Sequence, residues 1–228
     1  MPLSEGTMEL GSCITRVIHQ DDTPTNVIIR PTCLTACSDY EPSESEDDND
    51  IIDNLNMEHS GSREWFLYLG YMFAKLTNLT QLTFNDLDPE DEELELFWGE
   101  ISGSTSLTSL NYTNMNLESS EEMLFALCAP NLTSITFQRC TIPNNIGYLL
   151  HQSELNDGLT TLCFIKCCFS NTKKIREILE FATELARLTS ITSFRFTSCL
   201  LDNEQSMCLV QCLREERDDV QIHCNFRG

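Results

Sequence analysis

Cysteine, histidine and carboxylate are the side chains of this chain that could do chemistry: 12 Cys, 4 His and 36 Asp plus Glu in 228 residues. Metal binding is the first chemistry to weigh, because Zn²⁺ takes thiolate and imidazole at short, characteristic spacings. Cys208 and Cys212 stand four apart on a predicted helix, Cys33 and Cys37 repeat the interval, and His223 adjoins Cys224. None of these forms a Cys-x-x-Cys pair with a second knuckle, so they read as structural thiols and no metal site is assigned. His19, His59, His151 and His223 are scattered along the chain. There is no Gly-x-x-x-x-Gly-Lys-Ser/Thr phosphate loop, no Gly-x-Ser-x-Gly elbow and no His-Glu-x-x-His pair. Carboxylates come in runs such as Pro89-Glu-Asp-Glu-Glu93, the form of a solvated face rather than of an acid/base pair. The reading is non-enzymatic, without cofactor or small-molecule substrate. One modification stands out: Ser43 has Glu46 three residues on and Ser45 has Asp48, the spacing of acidophilic phosphorylation sites, where a phosphate would deepen the negative charge.

Charge narrows the partners. Fourteen Lys and Arg against 36 acidic residues give a formal charge of −22. Such a chain is repelled by nucleic acid phosphates and by anionic membrane surfaces. Long-range steering would favour a basic protein partner, although acidic excess also serves solubility. Residues 1–60 hold 13 acidic and two basic residues, a balance of −11, half of the total in a quarter of the chain. Residues 39–58 hold nine acidic and no basic residues, a composition that buries too little to order itself. No apolar run reaches the roughly 20 residues of a membrane span. No basic region followed by an apolar stretch opens the chain, so no signal peptide is read. The cysteines fall on strands, helices and turns in the manner of reduced thiols, which points to the cytoplasm or the nucleus.

The elements that would position any site come from a repeat. In Leu132-Thr-Ser-Ile135-Thr-Phe137-Gln-Arg-Cys140-Thr-Ile142, apolar residues fall at relative positions 1, 4, 6 and 11, with Cys at 9. Copies run through Leu79, Leu82, Phe84 and Leu87; Leu107, Leu110, Tyr112 and Met115; Leu159, Leu162, Phe164 and Cys167; and Ile191, Phe194, Phe196 and Cys199. A weaker copy at Val220, Ile222, Cys224 and Phe226 closes the chain. Position 4 recurs at 82, 110, 135, 162, 194 and 222. A period of 25 to 32 residues is that of a strand and a helix per repeat. Positions 4 and 6 share one side of a short strand. Between strands, 172–188 carries Ile175, Ile178, Phe181, Ala182 and Leu185 at helical spacing, and 62–76, 88–101, 118–129, 143–152 and 203–217 read as further helices.

At these residues the chain resembles the ribonuclease-inhibitor type of leucine-rich repeat, found in NACHT-containing innate immune receptors, F-box adaptors and Ran GTPase activators. The resemblance implies an α/β fold: a right-handed solenoid of five to six repeats, with parallel strands on the concave face and helices on the convex face. It also implies a protein-recognition module of the immune-receptor kind. Alternatives are an F-box-like substrate adaptor, a GTPase regulator and an acidic histone-binding protein. The solenoid is placed at 61–228. The region 1–60 reads as largely disordered, with a degenerate first repeat near 24–37 (Val27, Ile29, Thr32, Leu34) and an acidic loop at 38–60. The charged end of the last helix, Arg214 to Asp219, suits a terminal cap.

In that solenoid the candidate partner-binding residues are those alternating out of the core onto the concave face. They are Gln81, Thr83 and Asn85; Asn111 and Thr113; Thr136 and Gln138; Thr161 and Ile165; and Arg195 and His223. This surface is polar and poor in the Trp, Tyr and Arg anchors of binding hot spots, Arg195 excepted. Thr and Ser at such positions also serve strand propensity alone.

Overall fold

The computed structural model describes residues 7–9, 26–29, 79–86, 99–118, 129–152, 158–170 and 174–226, the first two segments as backbone only. The acidic stretch 38–60, Ser43, Ser45, Cys33, Cys37, the predicted helix at 62–76 and residues 119–128 of the one predicted at 118–129 lie outside them. Five-residue strands recur at template positions 3 to 7: β3 (Gln81–Asn85), β4 (Ser109–Thr113), β5 (Ser134–Gln138), β7 (Thr161–Ile165) and β9 (Ser193–Thr197). With β1 (Thr7–Glu9), β2 (Asn26–Ile29) and β10 (Gln221–Asn225) they form one eight-stranded parallel sheet, ordered β1-β2-β3-β4-β5-β7-β9-β10. The register is that of the repeat, so position 4 faces position 4: Leu82 meets Leu110, Leu110 meets Ile135, Ile135 meets Leu162 and Leu162 meets Phe194. β2 enters in the same register, Val27 against Leu82 and Ile29 against Phe84. β1, a three-residue strand from Thr-Met-Glu, pairs with β2 and matches no copy of the template.

Period-two alternation decides which way each side chain goes. In β3, β4 and β5, positions 4 and 6 are buried while 3, 5 and 7 stay half exposed. Position 6 is aromatic in β3, β4, β5, β7 and β9, and the rings stack into a ladder. Centroid spacings are 5.4 Å for Phe84–Tyr112, Tyr112–Phe137 and Phe137–Phe164, and 5.2 Å for Phe164–Phe196. Parallel strands about 4.8 Å apart hold such rings near offset-stacking distance. Helices cover this side. Their apolar spacing puts α1 (Ile146–Gln152), α2 (Ile175–Ala186) and α3 (Asn203–Glu216) against the core through Ile146 and Leu150, Ile178, Phe181 and Leu185, and Leu209 and Leu213. Phe181 of α2 meets Phe164 of β7 edge-on at 6.2 Å. The start of α3 is fixed by Asp202, which accepts from the Gln205 amide at 2.8 Å while its own amide donates to Gln205 Oε1 at 3.0 Å. Of the predicted 88–101 helix only the final turn, 99–101, is described.

The turn after each strand repeats as strictly as the strand. Position 8 adopts a left-handed backbone in five repeats, with φ of 61° at Asp86, 55° at Asn114, 54° at Arg139, 55° at Lys166 and 55° at Ser198. At position 9 the buried thiols of Cys140, Cys167 and Cys199 donate to the carbonyls of Tyr112, Phe137 and Phe164, the position-6 residues one repeat back, at 3.3, 3.2 and 3.3 Å. A two-stranded step follows, β6 (Thr141–Ile142) beside β8 (Cys168–Phe169). Before β3, β4, β5, β7 and β9, position 2 is threonine. The hydroxyls of Thr108, Thr133, Thr160 and Thr192 donate to the carbonyls of Thr80, Thr108, Thr133 and Thr160. This second ladder is visible in the sequence as a Thr after every position-1 residue, a signal carried by a polar residue outside the apolar template.

Candidate interaction surface

The face opposite the helices is built from positions 3, 5 and 7, with position 8 at its rim. It carries Gln81, Thr83, Asn85, Asn111, Thr113, Thr136, Gln138, Thr161 and Ile165, all half exposed, and Arg195 and His223, both exposed. Strand register aligns the middle row: Thr83, Asn111 and Thr136, then Cys163, Arg195 and His223. Part of the polar surface bonds to itself. Asn111 Nδ2 donates to Thr83 Oγ1 at 3.2 Å, and Asn114 Nδ2 at the rim donates to Asn85 Oδ1 at 2.8 Å. The second contact shows that a position-8 side chain reaches the position-7 row. Cys163 belongs to the same row but is only 8% exposed. Burial raises the pKa of its thiol, with the Arg195 charge and a hydrogen bond involving Thr136 acting the other way.

The rim alters the expected character of this face. Arg195 is the single cation that strict alternation assigns to it, yet Arg139 and Lys166 are also exposed at position 8, the rim position from which Asn114 reaches Asn85. Alternation hides them, because the left-handed turn breaks the period of two just where they sit. The clue was positional: both follow the strand by one residue, as Asp86 and Asn114 do.

Other chemistry-bearing residues are not brought together. Among the described residues, no group of three or more His, Cys, Asp or Glu is placed to hold a metal ion. Cys208 and Cys212 are half buried on α3, with Cys212 Sγ 3.8 Å from Thr183 Oγ1, while Cys224 is exposed on β10. The eight described cysteines are all free thiols.

The last repeat departs from a wholly polar cap. Arg217 does pin the chain: its guanidinium donates to the carbonyls of Leu188 (3.0 Å) and Ile191 (2.9 Å) and pairs with Asp219 at 2.7 Å. Beyond it, however, Met207 is 71% exposed, and a groove of about 530 Å³ lies between α3 and β10, lined in part by Met207, Val210, Cys224 and Phe226. On the outward side of α3, Met207 and Val210 stand among Ser206, Gln211, Arg214 and Glu215, so its polar end covers only part of the stack. No described helix is long and apolar enough to cross a membrane.

These features define a leucine-rich-repeat-like α/β fold, an all-parallel sheet of short strands with helices on one side and an open polar strand face on the other. No protein-family model matches the chain, and no curated protein matches it in sequence. Among solved structures it is similar to one described as Leiomodin-1 Actin-Binding Site 2 (ABS2). The two share 14% identity over 70% of this chain and 92% of that one, with a TM-score of 0.46. A likeness at that level says nothing of what this chain binds.

Proposed function

We propose that the chain is a non-enzymatic protein-recognition module that binds its partner on the strand face. The observation that carries this reading is the asymmetry of the sheet. Its helix side is packed, whereas positions 3, 5 and 7 leave a half-exposed polar surface across β3, β4, β5, β7 and β9. A parallel sheet is ordinarily covered on both faces, so an open one is a surface kept free for something else. The site is Gln81, Thr83, Asn85, Asn111, Thr113, Thr136, Gln138, Thr161, Ile165, Arg195 and His223. In domain terms the solenoid is read as 61–228, with the 24–37 copy as its degenerate first repeat and 38–60 as an acidic insertion.

Two finer readings belong with it. The Cys ladder at position 9 is a feature shared with repeats of innate immune receptors and F-box adaptors, and it supports those two kinds of recognition over the GTPase-regulator and histone-binding alternatives; no F-box-like helix trio is read in the sequence ahead of the repeats, which favours the immune-receptor kind. Eight free thiols support a reducing compartment, cytoplasm or nucleus. The test is site-specific photocrosslinking in cells of origin. A benzoylphenylalanine at Gln138 on the strand face should yield a discrete protein adduct, and one at Glu180 on α2 should not. Adducts from Glu180 alone would move the binding surface to the helices.

A further inference from the structure

Net charge and local charge point in opposite directions on this molecule. Over the whole chain the balance is −22, which would draw a basic partner. Across the described strand face and its rim there is one carboxylate, Asp86, at the β3 end, against Arg139, Lys166 and Arg195 on three adjacent strands. These cations form no ion pair among the described residues, whereas Arg176, Arg187 and Arg217 each have a carboxylate within 2.8 Å. Backbone register fixes how close they lie. Arg139 N donates to Ile165 O at 2.8 Å and Lys166 N to Thr197 O at 2.7 Å, so the two occupy equivalent turns of neighbouring repeats. Strand spacing then puts their backbones about 5 Å apart, with Arg195 one strand further and three residues back, roughly 10 Å along the strand.

A second observation is independent of charge. Arg139 and Lys166 hold φ of 54° and 55°, a region in which Asn and Asp are enriched and long side chains are not. The equivalent turns elsewhere use the short polar residues Asp86, Asn114 and Ser198. Two repeats thus keep a cation where conformation alone would select Asn or Asp. The repeat turn fixes this backbone state in all five copies, and a residue kept against such a preference is the kind found at ligand clamps.

We propose that the strand face binds an acidic peptide segment of a partner protein, with Arg139, Lys166 and Arg195 holding its carboxylates; this rests on the strand face being the binding surface. Guanidinium and ammonium groups make their strongest hydrogen bonds to carboxylate or phosphate. Nucleic acid is disfavoured as the anion. Proteins that hold single strands interleave cations with aromatic stacking platforms, and the aromatic residues of these strands are all buried on the helix side. The remainder of the chain would also repel a long polyanion, while a short acidic segment meets only the local field. Glu180, Glu215 and Glu216 on the helix side keep the partner's approach to one face.

The experiment is fluorescence anisotropy with the full chain and three labelled probes at 50 and 300 mM salt: a twelve-residue Glu/Ser alternating peptide, its Lys/Ser counterpart, and a twelve-nucleotide single strand. The acidic peptide should bind, weaken several-fold at the higher salt, and lose at least tenfold in Arg139→Asn/Lys166→Asn. That variant suits the left-handed turns better than the native residues, so its urea midpoint should not fall, which separates lost binding from lost fold. Glu180→Lys should leave binding unchanged. Absence of acidic-peptide binding, tighter binding of the Lys/Ser peptide, tighter binding of the nucleic acid, or indifference to the double substitution would each overturn the proposal. A crosslink from Gln138 to a basic partner segment would overturn it while leaving the strand face as the binding surface. Acidic-peptide binding lost only in helix-side variants would overturn both.

Discussion

The two sides of the sheet are made by the same backbone and differ in almost everything else. On the helix side, α2 and α3 carry six carboxylates (Glu177, Glu180, Glu184, Glu204, Glu215, Glu216) and two guanidiniums (Arg176, Arg214) over a sealed apolar layer. On the strand face, hydroxyls and amides stand half exposed with three cations and one carboxylate. Charge here is a property of a surface, not of a chain. The −22 total describes what keeps the molecule in solution, whereas the field a partner meets is set within about a Debye length of the face it touches. The chemistry differs too: on one side stability is stored in stacked rings and buried thiols, and on the other little is stored.

The sharpest way to break that contrast is to cut the ring ladder. Phe164 is fully buried, with Phe137 at 5.4 Å and Phe196 at 5.2 Å on either side and Phe181 of α2 edge-on. Phe164→Ala should cost about 3–5 kcal/mol of unfolding free energy. Thr136→Ala, one strand away on the opposite face, should stay within about 0.5 kcal/mol. Urea melts of the two variants read the difference directly. Near-equal losses would mean that the strand face is packed by something and is not open.

The repeat, its period and the assignment of residues to core or face could be read from the apolar template, because alternation at positions 4 and 6 is a strong constraint on a strand with one sealed side. The turns were harder. Arg139 and Lys166 were missed since a left-handed residue falls out of the period of two, and φ is not written in a residue type that avoids it. The threonine ladder was missed for another reason: it bonds through backbone carbonyls of the previous repeat, and a search for apolar spacing passes over polar identity. β1 carries only Thr7, Met8 and Glu9, too short for any pattern to register.

The thiols at position 9 offer the next contrast, through pH. A thiol donates only while protonated, and burial pushes Cys140 up to about 11 from an ordinary 9.0; Cys167 and Cys199 are raised in the same direction by burial. The unfolded chain therefore releases these protons first as pH rises. Stability is full below about pH 9 and is lost between 9 and 11, by at most roughly 3 kcal/mol for the Cys140 thiol alone. Cys140→Ser keeps a donor and removes the titration. Between pH 7.5 and 10.5 the urea midpoint of the native chain should fall further than that of the variant. Parallel falls would mean that the ladder thiols do not carry the alkaline loss.

A smaller effect is expected where helices meet. Gly147 in α1 lies so close to α2 that a Cβ would sit 2.7 Å from Glu184 and 2.8 Å from the Leu185 nitrogen. Two of these are backbone atoms and the third is Glu184 Cβ, all with little room to move, so Gly147→Ala should cost about 1–3 kcal/mol through displacement of the helix pair. Any helix-propensity gain from alanine works against this, about 1 kcal/mol at most. Thermal unfolding settles the sign, and a stabilised variant would show that α1 is free to shift outward on the helix side.

The smallest effect separates two kinds of ladder. Thr133 Oγ1 donates to the Thr108 carbonyl at 3.1 Å, but that oxygen also receives the Thr133 and Ser134 amides at 2.9 and 3.1 Å, and Thr133 is exposed. Thr133→Val keeps the shape and the β-branch while removing one donor from an acceptor that remains satisfied. A loss of no more than about 0.5 kcal/mol follows, the low end for a solvent-accessible hydrogen bond. Cys167→Val removes the thiol donor from a buried ladder and should cost more than Thr133→Val, because the Phe137 carbonyl it serves has no route to water. If the two variants unfold at the same urea concentration, burial does not distinguish the ladders. The threonines would then be holding the repeats in register as firmly as the core does.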